Sequence, residues 1–228
     1  MSREQRPLAV VPAWVWTALA AGLALQFALQ AALGRPRAAA GELPPAPSAQ
    51  MLRLAAFGEA AAAARLTMLY LQAFNLREVD YARLTAWLRT ALALDPRSQY
   101  PLFSAARIYA ETPDPTRARI ALEFVYEQFL LDPNRRWPWL AHGALLAKHR
   151  LKDLALARRY AAAIDRHTSA KDVPLWARQM EIFILEDMNE LEAARIMLGG
   201  LLASGQVSDP AELRFLQERL EALEAKGK

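Results

Sequence analysis

A chain of 228 residues, 54 % of them apolar and with only nine Gly, can hold one ordinary domain plus a small appendage. It contains no cysteine, which excludes disulfides, thiolate catalysis and Cys-based zinc sites. The net charge of +4 is unevenly spread, with a balance of +7 between Arg135 and Arg178 and of −5 from Glu181 to the C-terminus, and no reading module or unbroken basic stripe accompanies it, so no nucleic-acid partner is expected.

Leu8 to Leu33 carries no charge over 26 residues. As a helix it would rise ~39 Å, enough to cross a hydrocarbon core of ~30 Å with tilt. Trp14 and Trp16 stand near one end, where an interfacial aromatic belt places such rings. Residues 1–34 are therefore expected to form an N-terminal transmembrane anchor, with residues 8–33 in contact with the lipid bilayer. A cleaved signal peptide, with Ala38-Ala39-Ala40 as the cleavage site, is the competing reading. Against it, the apolar run exceeds a signal core about twofold, and Arg35 and Arg37 intervene before the small residues. Arg3 and Arg6 nearly balance Arg35 and Arg37 across the span, and the short leader has the form of a signal anchor, which exports the large domain.

Residues 35–50 hold Pro36, Gly41, Pro44, Pro45 and Pro47 among Ala and Ser, the composition of an extended, semi-rigid spacer. The helical domain is expected over 51–228. In 59–75 an Ala-rich start leads to Leu66, Met68, Leu69, Tyr70, Leu71 and Phe74 on a broad apolar face. Asp80 is placed to cap the next helix, whose stripe is Tyr81, Leu84, Leu88, Ala91 and Leu92. Residues 100–110 and 116–131 make a second pair, broken by Glu111-Thr-Pro-Asp-Pro115; its second helix is apolar almost all round, as an internal member of a stack requires. Residues 137–149 and 154–166 make a third pair, and 173–185 and 191–202 a fourth. Asp209-Pro210 then opens a last helix to about Glu224, whose charged face would close the stack. The abundance of Ala, Leu and Arg fits an all-α fold.

These joints resemble the tetratricopeptide repeat, a helix-turn-helix unit of about 34 residues with small and aromatic residues at set positions and a Pro after the second helix. The resemblance is carried by Tyr81, Ala91, Leu92, Leu94, Asp95 and Pro96, then Ala106 and Tyr109. The third pair adds Trp139, Gly143, Tyr160 and Ala163, and the fourth Ala194 and Leu198. It covers about Glu59 to Gln206. The chain departs from the pattern at Leu84, where the family has Ala, at Gln128, and at Glu181 in a normally apolar place. The implied fold is an α-solenoid of about four such helix pairs plus a C-terminal capping helix, preceded by one transmembrane helix.

The resemblance implies a concave groove, lined by the first helix of each pair, that holds another protein or a peptide segment. Carried over by position, its lining is Tyr100, Phe103, Arg107, Trp137, Leu140, Lys148, Trp176 and Gln179. Phe103, Leu140 and Ala144 occupy positions where the family's carboxylate clamp needs Lys and Asn, which argues for an apolar or mildly acidic partner over a C-terminal carboxylate. An N-terminal span before such repeats looks like the membrane-anchored repeat proteins of Gram-negative bacteria. That implies a single-pass inner-membrane protein with a periplasmic repeat domain, acting as an interaction scaffold or assembly factor. The alternative is an accessory subunit of a larger membrane complex, its transmembrane helix packed on partner subunits through Gln26 and Gln30.

Enzyme chemistry finds no support in the residues. His142 and His149 lie two turns apart on one helix, His149 and Asp153 have chelating spacing with no second pair, and Glu123 with Glu127 is an ordinary helix-surface pair. No phosphate loop, nucleophile elbow or metalloprotease helix occurs. No catalytic residue, cofactor or metal site is expected. Arg135-Arg136-Trp137-Pro138-Trp139-Leu140 is the most distinctive surface candidate: Arg with Trp is the composition of an interaction hot spot, the alternative being that both arginines solvate the turn and Trp139 packs internally, with Trp137 expected as the exposed ring.

Overall fold

The structure is a computed structural model and describes residues 12–33, 42–75, 78–169, 173–205, 207 and 209–226, with the side chains of the first helix described through Ala28. The leader arginines Arg3 and Arg6, residues 8–11 of the apolar run, Arg35, Arg37 and the Ala38–Ala40 segment lie outside the described residues. The protein is all-α. Its helices are α1 (Ala13–Leu33), α2 (Ala49–Ala55), α3 (Ala60–Leu71), α4 (Tyr81–Leu94), α5 (Tyr100–Ser104), α6 (Pro115–Leu131), α7 (Pro133–His149), α8 (Leu154–His167), α9 (Leu175–Arg178), α10 (Met180–Asp187), α11 (Leu191–Ala203) and α12 (Pro210–Lys226). A π-helical turn, Ala105–Tyr109, continues α5.

Among the described residues no single helix is long and apolar enough to cross a membrane; Ala13–Ala28 is a shorter apolar helix. From Pro12 to Ala28 its side chains are exposed, Val15 alone being half-buried.

From α3 onward each helix packs on the next in chain order, α3 on α4, α6 on α7, α7 on α8 and α10 on α11. The boundaries follow local chemistry. Asp80, Asp114 and Asp153 each place a carboxylate oxygen on the free N–H groups of a first turn, and α6 and α7 both begin with Pro, which has no N–H to leave unpaired there. Among the described residues three inter-helix turns carry a non-Gly residue in the left-handed region, Phe57 (φ 53°), Lys152 (φ 55°) and Asn189 (φ 60°).

One core runs from Leu43 through α3–α8 to Ile184, and its largest fully buried rings are Tyr160, Phe124 and Phe129. A smaller core, Ile182, Leu185, Ala194, Leu198, Val207, Leu216 and Leu223, joins α10, α11 and α12. Polar cross-links between successive helix pairs recur at sequence separations of 32 to 38: Arg119 to Asp153 at 2.6 Å, Arg159 to Glu123 at 2.7 and 3.0 Å, Arg158 to Glu190 at 3.1 Å, Arg219 to Glu186 at 3.1 Å, and Arg89 to Glu127.

Several expectations need correction. The segment expected as a spacer is docked where it is described: Leu43 is fully buried, and residues 42–48 lie along α4. Arg83 donates to the Leu43 carbonyl (2.9 Å), Trp87 Nε1 to that of Pro44 (2.8 Å) and Thr90 to that of Pro47 (3.2 Å). Proline lacks an N–H but keeps its carbonyl, so a Pro-rich strand still offers a row of acceptors to a polar helix edge. Helix α2, not expected from the sequence, begins at Ala49 behind the N-cap Ser48. Helix α6 is not buried all round, because Ile120, Leu130 and Leu131 stay exposed. The helix expected over 173–185 is broken at Gln179. Arg136 is not a solvated turn residue but buried, for reasons given below.

Candidate interaction face

The first helices of three successive pairs, α5, α7 and α9, stand side by side, and aromatic side chains bridge the gaps between them. Tyr100 and Phe103, one turn apart on α5, stack at 6.0 Å with planes 16° apart. Phe103 meets Trp139 of α7 edge-on at 5.7 Å. On the other flank of α7, Trp137 meets Trp176 of α9 edge-on at 5.6 Å. Trp137 and Trp139 are two residues apart and so roughly 200° apart around the helix, which is why one turns to α9 and the other to α5. Both are half-buried, where Trp139 was expected inside and Trp137 outside. Tyr100 (42 % exposed), Phe103 (37 %) and Trp176 (52 %) keep open ring surface.

Two of the rings, Tyr100 and Trp139, are held by polar partners. Gln72 Nε2 donates to the Tyr100 hydroxyl at 2.8 Å, and Trp139 Nε1 donates to Gln99 Oε1 at 2.6 Å. Gln72 and Gln99 were not legible as parts of this face, because each acts across a helix gap and no local pattern marks it.

Beyond Phe103, the π-helical turn carries Arg107, whose guanidinium donates to His142 Nδ1 at 3.3 Å and lies 4.0 Å from the Glu111 carboxylate. Burial and the adjacent Arg107 hold the His142 pKa below its ordinary value against the opposing pull of Glu111, so the ring is neutral at pH 7 and accepts at Nδ1. Lys148 forms an ion pair with Asp187 and is half-buried. Two predicted lining residues do not reach this surface. Leu140 is fully buried in the main core, and Gln179 is 4 % exposed with Nε2 turned to Glu212 at 3.3 Å. Leu140 lies one residue from the Trp139 face and follows the apolar stripe inward; Gln179 sits at the break between α9 and α10.

Gln128 and Glu181, two of the three positions expected to depart from a tetratricopeptide pattern, are buried and find polar partners. Gln128 is buried because its backbone carbonyl and side-chain Oε1 both accept from Arg136 Nη1, at 2.7 and 3.3 Å, while Nη2 reaches the Pro96 carbonyl at 3.2 Å. Glu181, also buried, accepts from Arg158 at 3.2 Å. Among the described residues no group of three or more His, Asp or Glu could hold a metal ion. Compared with known protein families, curated proteins and solved structures, the chain gives no match.

Proposed function

We propose that this protein is a membrane-anchored scaffold or assembly factor of tetratricopeptide-like helical repeats, in which the α5–α7–α9 face holds a segment of another protein. The observation that carries the reading is the aromatic set bridging three successive first helices, Tyr100–Phe103–Trp139 and Trp137–Trp176, with open ring surface flanked by Arg107 and Lys148. Partly exposed aromatics with a neighbouring Arg are the composition of an interaction hot spot. Repetition supports the solenoid reading, since cross-links recur at separations near the length of one helix pair. The partner is an apolar segment carrying one or two carboxylates, which would compete with Glu111 for Arg107 and with Asp187 for Lys148. Residues 8–33 would anchor the chain in the bacterial inner membrane, with the repeats on the periplasmic side.

Crosslinking and pull-down from membranes, comparing the natural chain with Tyr100→Ala/Phe103→Ala/Trp176→Ala, tests the face. All three rings are partly exposed, so helicity should survive and capture should fall at least tenfold, about 1.4 kcal/mol or more. Undiminished capture by the triple variant would reject the face. A second reading, an accessory subunit of a larger membrane complex, is favoured by the exposure of α1 from Ala13 to Ala28, where Val15 alone is half-buried. In that case Gln26→Leu/Gln30→Leu should dissociate the complex while the triple variant does not.

A further inference from the structure

The corner between α2 and α3 presents apolar side chains that the repeat reading does not use. Helix α3 buries one stripe, Ala63, Ala64, Thr67, Met68 and Leu71, against the domain. A second stripe, Ala62, Leu66 and Leu69, has the same helical spacing and faces outward, with Leu66 and Leu69 60 % and 62 % exposed. Helix α2 repeats the arrangement with Met51, Leu54 and Ala55. Between the helices stands Phe57, 99 % exposed. Its φ of 53° is in the left-handed region, which costs a β-substituted residue ~1 kcal/mol or more. The turn is held in place: Phe57 N–H donates to Leu54 O at 3.0 Å, Gly58 N–H to Arg53 O at 2.8 Å, and Arg53 Nε to Gly58 O at 3.1 Å. A large ring kept fully in solvent on a fixed, unfavourable turn gains nothing for folding.

We propose that this corner is a second membrane contact, docking Phe57, Leu54, Met51, Leu66 and Leu69 into the interfacial layer of the bilayer that α1 enters; the inference rests on the anchor reading above. Three observations select lipid as the occupant. The two helices, bent by 103°, together have the apolar length and composition of a membrane segment, but as a corner they can lie in the interface without spanning. Eight residues, 34–41, separate α1 from the docked strand that begins at Glu42, so the domain's attachment stays within ~30 Å of the end of α1. Between Ser48 and Asn75 the charges are Arg53, Arg65 and Glu59, a sign suited to anionic headgroups. The strand along α4 shortens the tether further and holds the domain against the surface.

The absence of cysteine allows single-cysteine labelling of the full chain. It would be reconstituted into vesicles of phosphatidylethanolamine with about a quarter phosphatidylglycerol, and a fluorophore placed at Ala55→Cys or Ala62→Cys would be quenched by spin-labelled lipid. Ala20→Cys reports on the anchor and Ala222→Cys on the far end of the domain. Quenching at 55 and 62 roughly fivefold above that at 222 is expected, falling to the level of 222 when Phe57→Asp/Leu69→Asp is introduced while that at 20 persists. Quenching at 20 without quenching at 55 and 62 overturns the corner and leaves the anchor standing; no quenching at 20 overturns both. Labels at 55 and 62 shielded from an aqueous quencher but untouched by lipid would mean that protein, whether a partner, a second copy or α1, covers the corner, and would also overturn the proposal.

Discussion

Two adjacent arginines that look equivalent in the sequence should differ sharply in what they contribute. Arg136 is 5 % exposed and ties three points together: the Gln128 carbonyl at 2.7 Å, the Gln128 side chain at 3.3 Å and the Pro96 carbonyl at 3.2 Å. It thereby joins the first turn of α7 to the last turn of α6 and to the loop after α4. Arg135 is exposed and its Nε lies 3.5 Å from the Asp132 carboxylate three residues earlier. In Arg136→Met the aliphatic stem is retained but two charge-assisted bonds to carbonyls vanish, each worth about 1.5–3 kcal/mol. Relief from holding a buried cation offsets part of that loss, leaving a net cost of ~2–4 kcal/mol. For a chain of this size the melting temperature should fall by roughly 5–15 °C. Arg135→Met removes only a screened surface pair and should cost less than ~1 kcal/mol. Thermal melts of the full chain in detergent micelles, followed by helical circular dichroism, make the comparison. Equal melting temperatures for the two variants would refute the assignment of Arg136 as the staple between helix pairs, and Arg136→Lys, which keeps charge but loses the planar fork, should fall between them.

Asp153 caps α8 through Leu156 N–H at 2.8 Å and pairs with Arg119 at 2.6 Å. Asp153→Ala should therefore lose about 1–2 kcal/mol in a denaturant titration at pH 7. These contacts, the Leu156 N–H first and then Arg119, hold its pKa below 3.8. The stabilisation is thus present above the unfolded value and lost as pH falls through the folded one, so natural and variant chains should converge in acid. For His142 the shift is also downward, from 6.5, by burial and then Arg107. Below pH 6.5 the unfolded chain takes up a proton that the folded chain resists, so this residue makes stability fall as pH drops from 6.5 toward the folded pKa. An NMR titration should place the His142 midpoint below 6.5, and Arg107→Gln should raise it; a midpoint unmoved by that change would remove Arg107 as a cause.

The helical class and most helix ends could be read along the chain because their causes are local: apolar spacing of three and four, an Asp one residue before a first turn, a Pro at a first position. Asp80 and Asp209 were legible for that reason, and both cap. Tertiary structure decided what each outward-facing group meets. Leu140 and Phe103 were both expected to line the groove, yet one is fully buried and the other is 37 % exposed, because burial depends on the neighbouring helices and not on the helix itself. Arg135 and Arg136 share residue type and turn, but only Arg136 is within reach of the Gln128 and Pro96 carbonyls. The stretch 42–48 has a spacer's composition and still docks, since the acceptors it offers find Arg83, Trp87 and Thr90 about 40 residues away. Sequence by itself determined where most helices start and stop, though not α2 or the break at Gln179; the meeting of residues 30 to 40 apart, which no local pattern encodes, decided which of their side chains are buried and which remain exposed.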